Sequence, residues 1–107
     1  MIITTTNTIE GKRIVEYKGL VFGEVVSGVN FIKDFFAGWT DTLGGRSSTY
    51  ESEAQDARDD AVKEMAKRAE KMGANAIIGV ELDYQIVGEK NGMIMFNVIG
   101  TAVRVED

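Results

Sequence analysis

The stretch "LGGRSSTYE", residues 43–51, places two glycines, an arginine and a run of hydroxyls directly before a long helical pattern. Free N–H groups at a helix start, with Arg46, Ser47, Ser48 and Thr49, have the chemistry to hold a phosphate or carboxylate. The segment lacks the G-x-x-x-x-G-K-[ST] spacing of a P-loop, and no G-x-G-x-x-G follows a strand. A glycine turn, a capping serine and an ion-paired Arg46 explain the same letters. The loop therefore reads first as a corner and second as an anion site.

Three other groups invite a chemical reading. Glu81 and Asp83 share one face of a strand, roughly 7 Å apart at Cα, as two oxygen ligands of Mg²⁺ or Ca²⁺ would. Alternating acids are also what a solvated sheet face carries, and two ligands alone make a weak metal signal. Met93 and Met95 form M-x-M, whose thioethers suit Cu(I) but more commonly fill cores. Phe31, Phe35, Phe36 and Trp39, four of the nine aromatics, fall at helical spacing. They could stack on a planar ligand, but regular spacing favours packing, and a subunit interface is a fitting place for so aromatic a surface. Tyr17, Tyr50 and Tyr84 have no visible activating partner.

The chain has no histidine and no cysteine. That excludes Ser-His-Asp and thiolate catalysis, disulfides and imidazole or thiolate metal sites built from this chain alone. No nucleophile stands beside a recognisable base, so the residues point to a non-enzymatic protein with no catalytic residues and no cofactor.

The elements that must position these groups are readable from periodicity. "MIITTT" is a short strand, followed by a turn through Asn7 to Gly11. "KRIVEYKGLVFGEVVSG" is a longer strand whose alternation changes phase around Gly19, as at a bulge, with a second irregularity expected at Gly23. Asn30 caps "FIKDFFAGWTDTL", a short aromatic helix. The long helix "STYESEAQDARDDAVKEMAKRAEKMG" carries Ala54, Ala57, Ala61, Met65, Ala69 and Met72 at steps of three and four. Ser48 and Glu51 have capping-box spacing, and Gly73 fits the C′ position. Acids gather early in this helix and bases late, and Glu64 with Arg68 forms an i,i+4 pair. In "AIIGVELDYQIV", Ile78, Val80, Leu82, Tyr84 and Ile86 are expected on one face and Glu81, Asp83 and Gln85 on the other. "GEKNG" supplies a turn, and "MIMFNVIGTAVRV" is apolar on both faces until Arg104. The order is β-β-α-α-β-β, an α+β fold with a largely antiparallel sheet covered by one long helix plus the short aromatic one.

At 107 residues the chain is one domain, residues 1–107. A 44% apolar and 27% charged composition is that of a globular protein. The net charge of −5 gives no field to hold nucleic acid or an anionic membrane. Residues 1–50 balance five acids with five bases, so the deficit lies in the second half. No signal-peptide pattern and no membrane span appear, and the cytoplasm is the expected compartment. Proline is absent, so no strand has the residue that often blunts a sheet edge. The last strand, apolar on both faces, joins the aromatic helix in pointing to copies of the chain that cover one another.

The phrases "EGKRIVEYKGLVFGEVVSGVNFIKDFFAGWTD", "GGRSSTYE", "GANAIIGVELDY" and "GTAVRV", in this order and spacing, resemble the YbjQ family, from about Ile3 to Val105. This bacterial family is labelled heavy-metal-binding. The resemblance implies a YbjQ-like α+β subunit assembled into a ring, with a homopentamer as the expected count. It carries over no reaction and no catalytic residues. The metal label runs against the donors present, because soft and borderline metals favour the thiolate and imidazole this chain lacks. The resulting expectation is a ring-forming protein that acts through protein or small-ligand contacts. The alternative is an anion- or metal-ion-binding protein with pockets at the GGRSS loop or between subunits.

Overall fold

The computed structural model describes residues 1–27, 48–87 and 93–107. Strand β1 spans Ile2–Ile3, β2 Arg13–Ser27, helix α1 Ser48–Lys71, β3 Ala76–Val87 and β4 Met93–Glu106. Among the described residues the strands form one sheet in the order β1-β3-β4-β2. Both long pairings, β2 with β4 and β3 with β4, are antiparallel, and the short β1 joins β3 in parallel. The α+β class and largely antiparallel sheet thus agree with the sequence. The aromatic segment 31–43 lies outside the described residues, as do Gly44 to Ser47.

Helix α1 lies on one face of the sheet because its stripe is nearly all alanine. Ala57, Ala61, Met65 and Ala69 are buried, and Ala61, Met65 and Ala69 meet Val21, Ile77, Val98 and Ala102. Gly23 lets the two backbones touch: a Cβ there would sit 1.9 Å from the Ala61 carbonyl oxygen. The irregularity expected at Gly23 is therefore absent. The register runs straight through Gly23↔Val98, and the glycine serves close approach. The bulge expected near Gly19 is present, with a register shift between Tyr17 and Gly19 and a second between Ile14 and Glu16. At the helix end Gly73 takes φ 85°, and the Ala74 N–H reaches the Ala69 carbonyl at 3.0 Å. This closes the helix as a Schellman turn.

The face split expected for β3 needs one correction. A register shift between Ile78 and Glu81 interrupts the alternation, with Gly79 at φ 62°. Ile78 consequently faces away from the helix and packs with Ala76, Val103 and Val105 under Ile9 and Ile14. Leu82 and Tyr84, beyond the shift, pair with Val98 and Phe96 of the helix-side rows. The N-terminal segment holds this bulge in place: Gly79 N–H donates to the Thr6 carbonyl at 2.8 Å and Val80 N–H to that of Thr4 at 3.1 Å.

Asn75 closes the lower end of the sheet. Its Nδ2 donates to the Val105 carbonyl at 3.0 Å, and its Oδ1 accepts the Val105 N–H at 2.8 Å, so the side chain stands in for a strand. Asn75→Ala leaves both groups of Val105 without that partner and should lower stability by about 1–3 kcal/mol in urea unfolding. Asn75→Asp should be worst at neutral pH, where a carboxylate faces the carbonyl. It should recover relative to the parent as acid restores a donor.

Candidate functional site

Glu81 and Asp83 fall on the sheet face away from α1. Through β4 the residues form transverse rows on that face. Phe22, Ile99 and Glu81 make one row, Glu24, Asn97 and Asp83 the next, and Val26, Met95 and Gln85 a third. Phe22, Glu24, Glu81, Asp83 and Asn97 line a concavity that Arg68 of α1 also borders. Glu81 and Asp83 do share a face, as their spacing predicts, and both are exposed. Asp83 already has a local task, because its Oδ1 accepts the N–H of Tyr84 at 2.8 Å.

Neither a soft nor a hard metal is matched by these donors. Among the described residues no group of three or more His, Cys, Asp or Glu is placed to hold an ion. Glu24 and Asp83 belong to strands on either side of β4, with Asn97 between them. Of the M-x-M pair, Met95 is half-buried on this face beside Val26 and Gln85. Met93 pairs with Val87 across the sheet. The anion candidates Arg46 and Ser47 lie outside the described residues; Ser48 and Thr49 form the first two positions of α1. Phe31, Phe35, Phe36 and Trp39 also lie outside.

A feature that sequence reasoning missed is an apolar stripe on an edge strand. Leu20, Phe22 and Val26 of β2 keep 65%, 50% and 49% of their surface exposed. Among the described residues β2 pairs only with β4, so it is an edge of 15 residues. Alternation in "GLVFGEVV" signalled the two faces, but not that the helix would cover Val21, Gly23 and Val25 and leave the other face bare. On the opposite side of the sheet, β1 and the Thr4–Thr6 segment accompany β3 only as far as Val80. From Glu81 onward β3 is, among the described residues, a second open edge, with Leu82 and Tyr84 each 46% exposed.

Arg68 was readable only as the i,i+4 partner of Glu64, which it does engage in an ion pair. It also donates from Nη1 to the Phe22 carbonyl at 3.0 Å, anchoring α1 to the β2 edge. At the far end of the sheet, the Lys12 hydrogen bond, then its charge, hold the Asp107 carboxyl below the usual range. This pair is at the chain terminus, away from the concavity. No described helix is long and apolar enough to cross a membrane.

Residues 1–106 match the YbjQ family model, whose description is "Putative heavy-metal-binding". The chain is 62% identical to a UPF0145 protein of Clostridium botulinum over 106 residues, covering 99% of this chain and 100% of that one. A UPF0145 protein of Acetivibrio thermocellus is 61% identical with the same coverage. One of Listeria ivanovii is 56% identical, covering 99% of this chain and 96% of the other. A crystal structure of a protein of unknown function in the DUF74 family, from Pediococcus pentosaceus, superposes with a TM-score of 0.68 at 18% identity. That superposition covers 99% of this chain and 98% of the other, and it supports the fold alone.

Proposed function

We propose that this chain, which belongs to the YbjQ (UPF0145) family, is a non-enzymatic, self-assembling cytoplasmic protein that acts as a ring through protein or small-ligand contacts. The observation that carries the reading is the apolar stripe Leu20, Phe22 and Val26 along a strand that, among the described residues, is an edge. A long apolar edge with no proline is a template for strand addition, and soluble proteins cover such edges. The partner we assign is a second copy. The two edges left open among the described residues differ, β2 on one side and β3 beyond Val80 on the other. Unlike surfaces on one subunit associate head to tail, and head-to-tail contacts close into rings when the rotation allows. A pentamer is the count we favour. The absence of histidine and cysteine leaves no donor set suited to a heavy metal, so binding of such a metal is not part of this function. Native mass spectrometry tests the reading: a multiple of the chain mass supports it, and a monomer sinks it.

A second reading has one observation behind it. Helix α1 begins at Ser48, so its free N–H groups follow the Gly44-Gly45-Arg46-Ser47 segment directly. If an anion sits there, sulfate or phosphate should raise the melting temperature by a few degrees over chloride at matched ionic strength, and Arg46→Ala should abolish the difference. Equal melting in all three salts would remove this reading while leaving assembly untouched.

A further inference from the structure

We propose that the N-terminal segment is a register lock for β3. The carbonyls of Thr4 and Thr6 hold the Gly79–Val80 bulge, and releasing them moves the upper half of β3 by one residue along β4. The inference concerns contacts within one subunit and does not rest on self-assembly.

β3 is out of phase with its own sequence. Ile78, Val80, Leu82 and Tyr84 alternate without a break, yet they are split between the two faces. Ile78 lies away from α1, while Val80 packs with the helix-side core and Leu82 and Tyr84 pair with Val98 and Phe96. The mismatch is one residue. Between Ile78 and Glu81, three steps along β3 answer two along β4, from Thr101 to Ile99. Gly79 takes φ 62°, as the first residue of a glycine bulge does. Val80 fills the space left by Gly100, where a Cβ would lie 3.0 Å from Val80 Cγ2. A β3 continued without the bulge would set Leu82 opposite Asn97 and Tyr84 opposite Met95. That slip carries Leu82 and Tyr84 to the face of Phe22 and Ile99, and Glu81, Asp83 and Gln85 to the helix side. The same letters therefore support two registers.

The N-terminal segment selects the bulged one. Gly79 N–H donates to the Thr6 carbonyl at 2.8 Å and Val80 N–H to the Thr4 carbonyl at 3.1 Å. Successive N–H groups of a regular strand point to opposite sides, so a segment that accepts both holds the bulge and not the regular strand. Its two carbonyls reach adjacent N–H groups because the threonine hydroxyls curl it. Thr4 and Thr6 Oγ1 are hydrogen-bonded at 2.9 Å, Thr6 N–H donates to Thr4 Oγ1 at 3.2 Å, and Thr6 Oγ1 donates to the Thr8 carbonyl at 2.6 Å. Thr4 N–H fixes the segment to the Ile77 carbonyl at 2.9 Å. Release would add Leu82 and Tyr84 to the apolar side chains Leu20, Phe22 and Ile99. The segment thus governs how far apolar surface extends across the face away from α1.

Cysteine pairs read the register, since the chain has no cysteine of its own. Residues 83 and 97 are opposite one another in the observed register, whereas 82 and 97 point to opposite faces and bridge only after the slip. In the parent, Asp83→Cys/Asn97→Cys should close readily and Leu82→Cys/Asn97→Cys slowly. Gly79→Val places a β-branched residue at a positive φ and should raise the closure rate of the second pair relative to the first by about tenfold or more. Thr4→Val/Thr6→Val removes the hydroxyls while keeping the side-chain shape, and should shift the ratio in the same direction. Mass spectrometry of the denatured chain separates closure within a chain from cross-links between chains, and far-UV circular dichroism confirms folding. An unchanged ratio in folded Gly79→Val would overturn the two registers. A response to Gly79→Val but not to Thr4→Val/Thr6→Val would overturn the lock. If Gly79→Val does not fold, the threonine pair decides alone: a shifted ratio supports the lock and an unchanged one ends it.

Discussion

Replacing Gly23 by alanine should force α1 off the sheet. The added Cβ would lie 1.9 Å from the Ala61 carbonyl oxygen, 2.9 Å from its carbon and 3.0 Å from the Met65 nitrogen. All three are backbone atoms, so no side-chain rotation relieves the contact. Overpacking in a core costs about 1–3 kcal/mol and sometimes more, and a backbone clash belongs at the top of that range. With a urea slope of about 1.5 kcal/mol/M, the midpoint should fall by roughly 2 M at unchanged slope. Gly11→Ala is the matched control. A Cβ at Gly11 meets nothing within 4 Å, so only the cost of holding alanine at φ 80° applies, about 1–2 kcal/mol. Equal losses at the two glycines would mean that α1 and β2 do not meet as described.

Leu20→Glu/Phe22→Glu should leave the fold and remove the assembly. Both side chains point away from α1 and are at least half exposed in the subunit, so the intramolecular core does not depend on them. In a subunit contact they become the buried anchors, and each would then carry a charge out of water. Losing one anchor of that kind costs about 2 kcal/mol or more, so the pair should weaken association by well over about 30-fold. Sedimentation velocity should show the monomer, with circular dichroism unchanged. An assembly that survives both charges would place the contact elsewhere on the molecule.

How much of this was readable beforehand depends on whether a residue's role was local or tertiary. The alanine stripe of α1, its stop at Gly73 and the bulge beside Gly19 follow from short-range chemistry, and the structure has them where the letters place them. Ile78 was assigned to the wrong face because Gly79 and Val80 break the alternation. What stabilises that bulge is the carbonyls of Thr4 and Thr6, more than 70 residues earlier in the chain. Gly23 suggested a bend, whereas its reason is a helix that passes over it. Asp83 suggested a cation ligand, and its observed partner is the adjacent N–H. Arg68 is the clearest case. Its pairing with Glu64 is visible at four-residue spacing, but its bond to Phe22 exists only once α1 has docked on β2.

The open edges are likewise a property of topology. Period-two alternation identifies β2 and β3 as strands, but nothing local says that β4 separates them. Only the order β1-β3-β4-β2 leaves β2 and the upper part of β3 unpaired among the described residues. The proposed self-assembly rests on this edge: among the described residues nothing beyond β4 pairs with β2, and an apolar edge of this length invites strand addition unless something covers it.

The most direct test is native mass spectrometry of the purified, untagged protein without added ligand, at micromolar concentration. The account predicts a closed integer multiple of the 11.7 kDa chain, five being the favoured number, with no population of half-formed ladders. A folded species that remains at 11.7 kDa across the concentration range would contradict it.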